Sequence, residues 1–457
     1  MIKRSADDKS YDKLLLRYPY RQFWGADVPL TNPPDFYNVD FIQDPWINER
    51  EVIMSAKFRL GAMMFLEYAV WGAWAPVLTA YLQNDLHFTG IQYGFIMSLL
   101  PIATIIAPLI GGQLADRYFP TEKVIGVSQL VGGVILLLGA AVASYTAMIW
   151  IMLVYCVIYA PTLALTNSIA FINLKDSEKD FGRIRVWGTI GWIAAGWSLT
   201  GWRFLAKSTP WIAVRGDTLF LAGLFSIVMG VLAFGLPHTP PKKEGAKPWA
   251  FLEAAKMLRD RDFLIFTVIA FIVATELQFY YVLTAPFLTS PKIGVASTWL
   301  SMVMTIAQFA EIFVMALLLP KVLPKFGIKK TMTLGVLAWP LRYIIFVIGG
   351  PAWLVIASLS LHGFCYVFFF TAAYIYVDTI APADIRASAQ SLIAVVILGI
   401  GNFVGSNFSG WIQNVFTAGG ATNWQNVFWV PTVLTLACAA AFVLLFKERK
   451  TPAPQQG

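Results

Sequence analysis

The chain is 457 residues long, 58% hydrophobic, 15% aromatic and only 13% charged, with a mean hydropathy of +0.64. A soluble chain of this length carries about 25% charged residues, so a soluble globular protein is excluded. The formal net charge of +8 does not make a nucleic-acid binder either, because Lys and Arg stand in short segments between long apolar runs and form no binding stripe.

Residues 1–53 differ from everything after them. They scatter Asp7, Asp8, Asp12, Asp27, Asp35, Asp40 and Asp44 among basic residues and prolines, with no apolar run and no charged-then-apolar leader. Two readings stay open: a cytoplasmic arm, or sequence ahead of a true start at Met54.

A helix needs about 20 mostly apolar residues to cross the hydrocarbon core. Twelve such runs follow, at about residues 58–82, 91–115, 124–144, 147–172, 184–205 and 217–236, then 263–288, 296–320, 331–349, 352–377, 388–413 and 427–447. Unbroken apolar runs such as Val131 to Ala143 exclude the alternating pattern of a β-barrel. The expected fold is an all-α membrane protein of twelve transmembrane helices in two pseudo-symmetric six-helix bundles, residues 54–236 and 263–450. A cytoplasmic linker at 237–262 separates them, and a cytoplasmic tail follows at 451–457. Within the linker, Trp249 to Arg259 reads as a surface helix with Phe251, Leu252, Ala255 and Leu258 on one face.

Basic residues set the orientation. Arg117 and Lys123, the group Lys175, Lys179, Arg183 and Arg185, the linker lysines, Lys321, Lys325, Lys329 and Lys330, and Arg386 all fall on one side, against few on the other. By the positive-inside rule both termini are cytoplasmic. Cys156, Cys365 and Cys438 lie inside apolar runs with neither metal-ligand nor disulfide spacing. No nucleotide-binding loop, dinucleotide fingerprint, metalloprotease helix or nucleophile elbow occurs, so an enzyme is not expected.

Gly112-Gln-Leu-Ala-Asp116-Arg117 after the second run resembles the loop motif of the major facilitator superfamily, where Gly112, Asp116 and Arg117 would form a gating element. More narrowly, residues 54–450 resemble the bacterial nucleoside:proton symporters of that superfamily. The resemblance is carried by Phe65-Leu-Glu67-Tyr68-x-x-Trp71-Gly-x-Trp74, Tyr159-Ala-Pro161-Thr162-Leu163 and Ile184-Arg185-Val-Trp187-Gly188-Thr189-Ile-Gly191. Also matching are Glu276-Leu-Gln278, Gln308-x-x-Glu311 and Ile385-Arg386-Ala-Ser-Ala-Gln390. It implies a carrier of the cell inner membrane that works as a monomer in the lipid bilayer. Its partners are a nucleoside and a proton; it has no cofactor, and the proton gradient is the driving force.

Arg185, Thr189 and Trp192 recur at i, i+4 and i+7 on one helix face. Position alone leaves Arg185 open between an interfacial arginine and a substrate ligand; the resemblance implies the ligand. Glu311 lies deep in its run, where a charge costs about 2.5–3.5 kcal/mol on insertion scales, so it should face water or a partner, Arg342 being the structural alternative. Gln308 shares its face. Glu276 and Gln278 point in different directions; the resemblance makes Gln278 a substrate contact, with Tyr281 beside it. His362 and Tyr366, at i and i+4, match aromatic positions of the family site. The family places an acid after the second aromatic, where this chain has Val367. That leaves Glu311, Glu276 or Glu67 to carry the coupling proton, Glu67 sharing a face with Trp71 and Trp74. A sugar-type solute, or a sensor that binds nucleosides without moving them, are the competing readings.

Overall fold

The computed structural model describes residues 49–107, 113–174, 176–241 and 251–447. The expected arm (apart from residues 49–53), Gly112, linker residues 242–250 and the tail lie outside these residues. The helices are α1 (Glu49–Trp74), α2 (Leu78–Asn84), α3 (Gly90–Ala107), α4 (Gln113–Arg117), α5 (Thr121–Ala140), α6 (Tyr145–Ile172), α7 (Ser177–Ser208) and α8 (Asp217–Ala233). There follow α9 (Phe251–Ala254), α10 (Arg261–Thr289), α11 (Ser297–Met304), α12 (Ile306–Phe313), α13 (Leu319–Ile348) and α14 (Ala352–Ser358). The last are α15 (Leu361–Cys365), α16 (Ala372–Ile380), α17 (Arg386–Ala394), α18 (Asn402–Val415) and α19 (Trp424–Leu445). Among the described residues the only strands are a two-residue pair, Thr417–Ala418 with Ala421–Thr422.

Eight stretches are long and apolar enough to cross a membrane. They are Gly90–Ala107, Thr121–Ala140, Tyr145–Ile172, Arg261–Thr289, Ser297–Ile348, Ala352–Ile380, Arg386–Val415 and Trp424–Leu445. Helix is the natural outcome, since it satisfies every backbone N–H and C=O within the segment. Buried prolines such as Pro101, Pro161 and Pro286 are carried inside these helices, because neighbouring helices re-satisfy the freed groups.

The structure departs from the sequence reading at three places. The first apolar run, expected over 58–82, breaks between Trp74 and Leu78 around Pro76, giving α1 and α2. The runs at 296–320 and 331–349 join into one stretch of 52 residues. The chain turns at Gly327, whose φ of 76° and ψ of 173° suit a residue without Cβ. The surface helix of the linker is one α-helical turn, α9, that tightens into a 3-10 segment, Ala255–Arg259. The tighter period rotates the face: Ala254 is buried while Leu252 is 57% exposed.

In the first run of helices α1 packs on α7 and α8, and α5 on α6 and α8; in the second, α13 packs on α19 and α10 on α18. The two runs meet through α3 with α18, α7 with α11 and α2 with α10. Among the described residues, side-chain hydrogen bonds between the runs all lie towards the end holding the 85–89 and 290–296 connections. Asn84 Nδ2 donates to Thr289 Oγ1 (3.0 Å), Gln413 Nε2 to Gln83 Oε1 (2.8 Å), Trp197 Nε1 to Thr305 Oγ1 (3.1 Å) and Arg203 Nη1 to the Ser297 carbonyl (2.8 Å). Arg203 is itself gripped by both oxygens of Asp217, at 2.6 and 2.7 Å. At the α3–α18 crossing, Gly90 and Gly410 touch so closely that a Cβ on either would run into the other's carbonyl oxygen. Gly410→Val is therefore expected to force this end apart. Faster reaction of a soluble maleimide with a Gln83→Cys reporter in that background than in the parent would show it.

Candidate substrate site

Arg185 lies near the start of α7, and its guanidinium sits 3.9 Å above the centroid of the Tyr68 ring on α1. A ring face attracts a cation by about 0.5–2 kcal/mol, more as water is removed. Gly188, one turn further on, makes the contact possible: a Cβ there would come within 2.7 Å of both Arg185 Nη1 and Tyr68 Cδ2. Thr189 is half-buried on the same face. Trp192 is buried and packs edge-on against Trp71 of α1, with centroids 5.4 Å apart.

The second run supplies the opposing wall. Glu311 and Gln308 lie on α12, which widens straight into a π-helical turn, Val314–Leu318. Tyr281 comes from α10, and Tyr366 heads a second π-helical turn, Tyr366–Thr371. Such wide turns aim side chains out of regular register and recur at functional sites. Arg185 is the cation whose field reaches Glu311. Both charges act on Tyr68 and Tyr366, and Glu311 acts on Tyr281 as well. No ion pair within 4.0 Å closes between Arg185 and Glu311, and both remain partly exposed. A guanidinium from one run of helices and a carboxylate from the other thus lie within each other's field without closing an ion pair, and one or both act on three phenol rings. The arrangement suits a ring-bearing solute with several hydrogen-bonding groups, and a carboxylate that can take up a proton.

A family model described as nucleoside H+ symporter matches residues 54–451. The chain belongs to that family. It is 36% identical over 411 residues to the putative nucleoside transporter YegT of Escherichia coli, covering 86% of this chain and 95% of the other. It is 31% identical to the xanthosine permease of the same organism, over 87% and 98% of the two chains. The crystal structure of the nucleoside transporter NupG superimposes with a TM-score of 0.77 at 27% identity, covering 86% of this chain and 100% of that one. A bacterial homologue of the lysosomal transporter Spinster, in an inward-facing conformation, shares the fold at a TM-score of 0.67 and 18% identity. The molecule is therefore a helical membrane transporter of the major facilitator fold, and not an enzyme.

Several other residues are more deeply buried than this pair. Arg342, the structural alternative for Glu311, is fully buried elsewhere, with the rings of Tyr280, Trp339 and Tyr343 at 4.5, 4.7 and 5.1 Å. Its Nη1 lies 3.4 Å from Nδ1 of His362. Arginine only donates, so Nδ1 carries the lone pair and the ring hydrogen sits on Nε2. His362 is fully buried and stacked on Tyr280 at 4.5 Å, behind Tyr281 and Tyr366. Gln308 is buried with Oε1 unpaired, and Gln278 accepts from Ser406 Oγ of α18 at 3.0 Å.

Of the remaining acids, Glu276 is buried among the helices of the second run, with no hydrogen bond to either carboxyl oxygen. Its backbone carbonyl accepts from the Tyr343 hydroxyl at 2.6 Å. Glu67 is buried inside the first run. Trp74, expected on the Glu67 face, bonds Tyr155 in that same interior (3.3 Å), whereas Trp71 turns towards Trp192. Asp116 falls in α4 and Arg117 is exposed at its end. Tyr68 and Gly188 were legible only as parts of motifs; the pairing of a ring with an arginine 117 positions later leaves no local signal. Gly188→Val is expected to push the guanidinium off the ring and remove most solute uptake at unchanged protein level, which labelled uptake beside an immunoblot would check.

Proposed function

We propose that this chain imports nucleosides together with protons across the inner membrane, by alternating access of two six-helix halves around the Arg185–Glu311 gap. The observation that carries it is this pair of charges, one from each half, each within the other's field without an ion pair within 4.0 Å, and acting on Tyr68, Tyr281 and Tyr366. A nucleoside offers a flat base for the aromatic rings and a polar edge and ribose hydroxyls for Arg185, Thr189, Gln278, Gln308 and Glu311. Trp192 completes the wall, with the buried His362 packed behind Tyr281 and Tyr366. The twelve-helix reading rests on the eight apolar stretches, on Ser297–Ile348 counting as two, and on α1, α7 and α8 as further spans. The halves are residues 54–236 and 263–450, joined by the linker at 237–262, and the carrier works in the bilayer as a monomer.

The basic loops lie at the end opposite the hydrogen bonds between the halves, so the closed end is the outer one. Both termini and the linker are cytoplasmic, and the conformation is inward-facing. Glu311 is the proton carrier: ionised, it leaves a charge in an apolar protein, whereas protonation neutralises it and lets the loaded carrier reorient.

Labelled uridine and adenosine, offered to transporter-deficient cells expressing the chain, should accumulate against a gradient that a protonophore collapses. Glu311→Gln should still exchange nucleoside across the membrane, yet no longer accumulate it, and its uptake should lose its dependence on external pH. Accumulation with an unchanged pH profile in that variant would refute the assignment. Arg185→Lys keeps the charge but not the planar fork. Losing one hydrogen bond of about 1.4 kcal/mol should raise the half-saturation about tenfold, read from initial rates of uptake.

A further inference from the structure

The carboxyl of Glu67 sits at the centre of a closed set of hydrogen bonds that joins four helices. It is fully buried on α1. Its Oε2 accepts from Gln129 Nε2 of α5 at 2.8 Å, and its Oε1 lies 2.7 Å from Thr162 Oγ1 of α6. Gln129 Nε2 also reaches Thr162 Oγ1 at 3.1 Å, and Ser226 Oγ of α8 lies 2.7 Å from both the side-chain and the main-chain oxygen of Gln129. The Tyr159 hydroxyl of α6 donates to the Glu67 main-chain carbonyl at 2.8 Å.

Hydrogens are short in this set. Thr162 has one hydroxyl hydrogen, yet Oγ1 lies 2.7 Å from two oxygens, Glu67 Oε1 and the carbonyl of Tyr159. The carbonyl can only accept. If Thr162 donates there, as residues on a helix do to the preceding turn, then Oε1 faces a lone pair unless Glu67 itself carries a hydrogen. No cation is among the groups acting on Glu67, whose neighbours here are the neutral Thr162 and Gln129. An ionised carboxylate buried without a cation is costly, whereas a carboxylic acid fits both contacts: it donates from Oε1 to Thr162 and accepts at Oε2 from Gln129.

We propose that Glu67 is a permanently neutral, hydrogen-donating acid that clamps α1, α5, α6 and α8 into one body and so holds the adjacent Tyr68 beneath Arg185. It acts as a positioning residue and does not carry the transported proton, an assignment that rests on the reading that Glu311 does.

Glutamine reproduces the two contacts, donating to Thr162 and accepting from Gln129; leucine, of similar bulk, leaves both unpaired. The full chain purified in detergent is compared as wild type, Glu67→Gln and Glu67→Leu by thermal melting, and in cells by nucleoside accumulation across external pH beside Glu311→Gln. Glu67→Gln is expected to melt with the wild type and to trace its pH profile within about twofold, the error expected of a matched hydrogen-bond exchange. Glu67→Leu should melt several degrees lower and lose most uptake. The wild-type infrared spectrum should also contain a protonated-carboxyl C=O stretch that disappears in Glu67→Gln. The proposal is overturned if Glu67→Gln melts normally but fails to accumulate or flattens the pH profile, or if it melts as low as Glu67→Leu. Should the wild type move no nucleoside, the transport reading falls, while melting and the infrared band still decide the state of Glu67.

Discussion

Everything in this molecule is arranged around the cost of placing an ionisable group in an apolar helix. A charge at the middle of a membrane costs about 2.5–3.5 kcal/mol even on the gentlest scales, and removing one partner of a buried pair costs about 3–5 kcal/mol. Several of these groups meet that cost, each in its own way, while Glu276 is buried with neither carboxyl oxygen hydrogen-bonded. Arg342 is wrapped in three aromatic rings and leans on a histidine lone pair. The Glu67 carboxyl is held by one hydroxyl and one amide. Arg185 rests on one ring and keeps part of its surface open, as Glu311 does across the gap. On the proposed reading the site falls at this last pair, which is partly exposed, and not at the deeper acids.

Holding such a gap open requires that the halves touch firmly elsewhere. The Gly90–Gly410 crossing, the Arg203–Asp217 grip extended to Ser297, and the Trp197–Thr305 bond gather at one end. These contacts are small and polar, of the kind that separates without exposing a large apolar surface. The wide turns after Glu311 and from Tyr366 onward belong to the half opposite Arg185. The first half holds a hydrogen-bonded acid in its interior, whereas the second has helices with π-helical turns.

The eight long apolar stretches were legible in the sequence because length and unbroken hydropathy are properties of single segments. The break at Pro76, the joining of two runs across Gly327 and the 3-10 turn after Ala254 were not, since each depends on backbone geometry that composition only weakly specifies. The helical periodicity of Arg185, Thr189 and Trp192 held, because α7 runs unbroken through all three. What periodicity cannot tell is which face looks where. His362 and Tyr366 share a face of their run, yet one is sealed behind Tyr280 and Tyr281 and the other borders the gap. The same limit made Arg342 a plausible partner for Glu311: both are single charges in neighbouring apolar runs, and only packing reveals that Arg342 turns towards Tyr280, Trp339 and Tyr343.

The acid that the sequence resemblance led one to expect after the second aromatic is absent, and Val367 in its place is fully buried, so this position offers no route for a proton. On the proposed reading, coupling then has to act through the two charges that remain at the gap. With Glu311 ionised and nothing between the halves, guanidinium and carboxylate attract across a space they do not close, and the site favours a bridging polar solute. Once that solute is seated and Glu311 protonated, Arg185 retains the Tyr68 ring as its counterpart and no unpaired anion is left to bury. The loaded, protonated carrier is then the one that can close over its cargo without stranding a charge, while the carrier loaded without a proton cannot. On that reading coupling follows from where the cation–ring contact sits: it stabilises Arg185 independently of Glu311, so the carboxylate is free to change its charge.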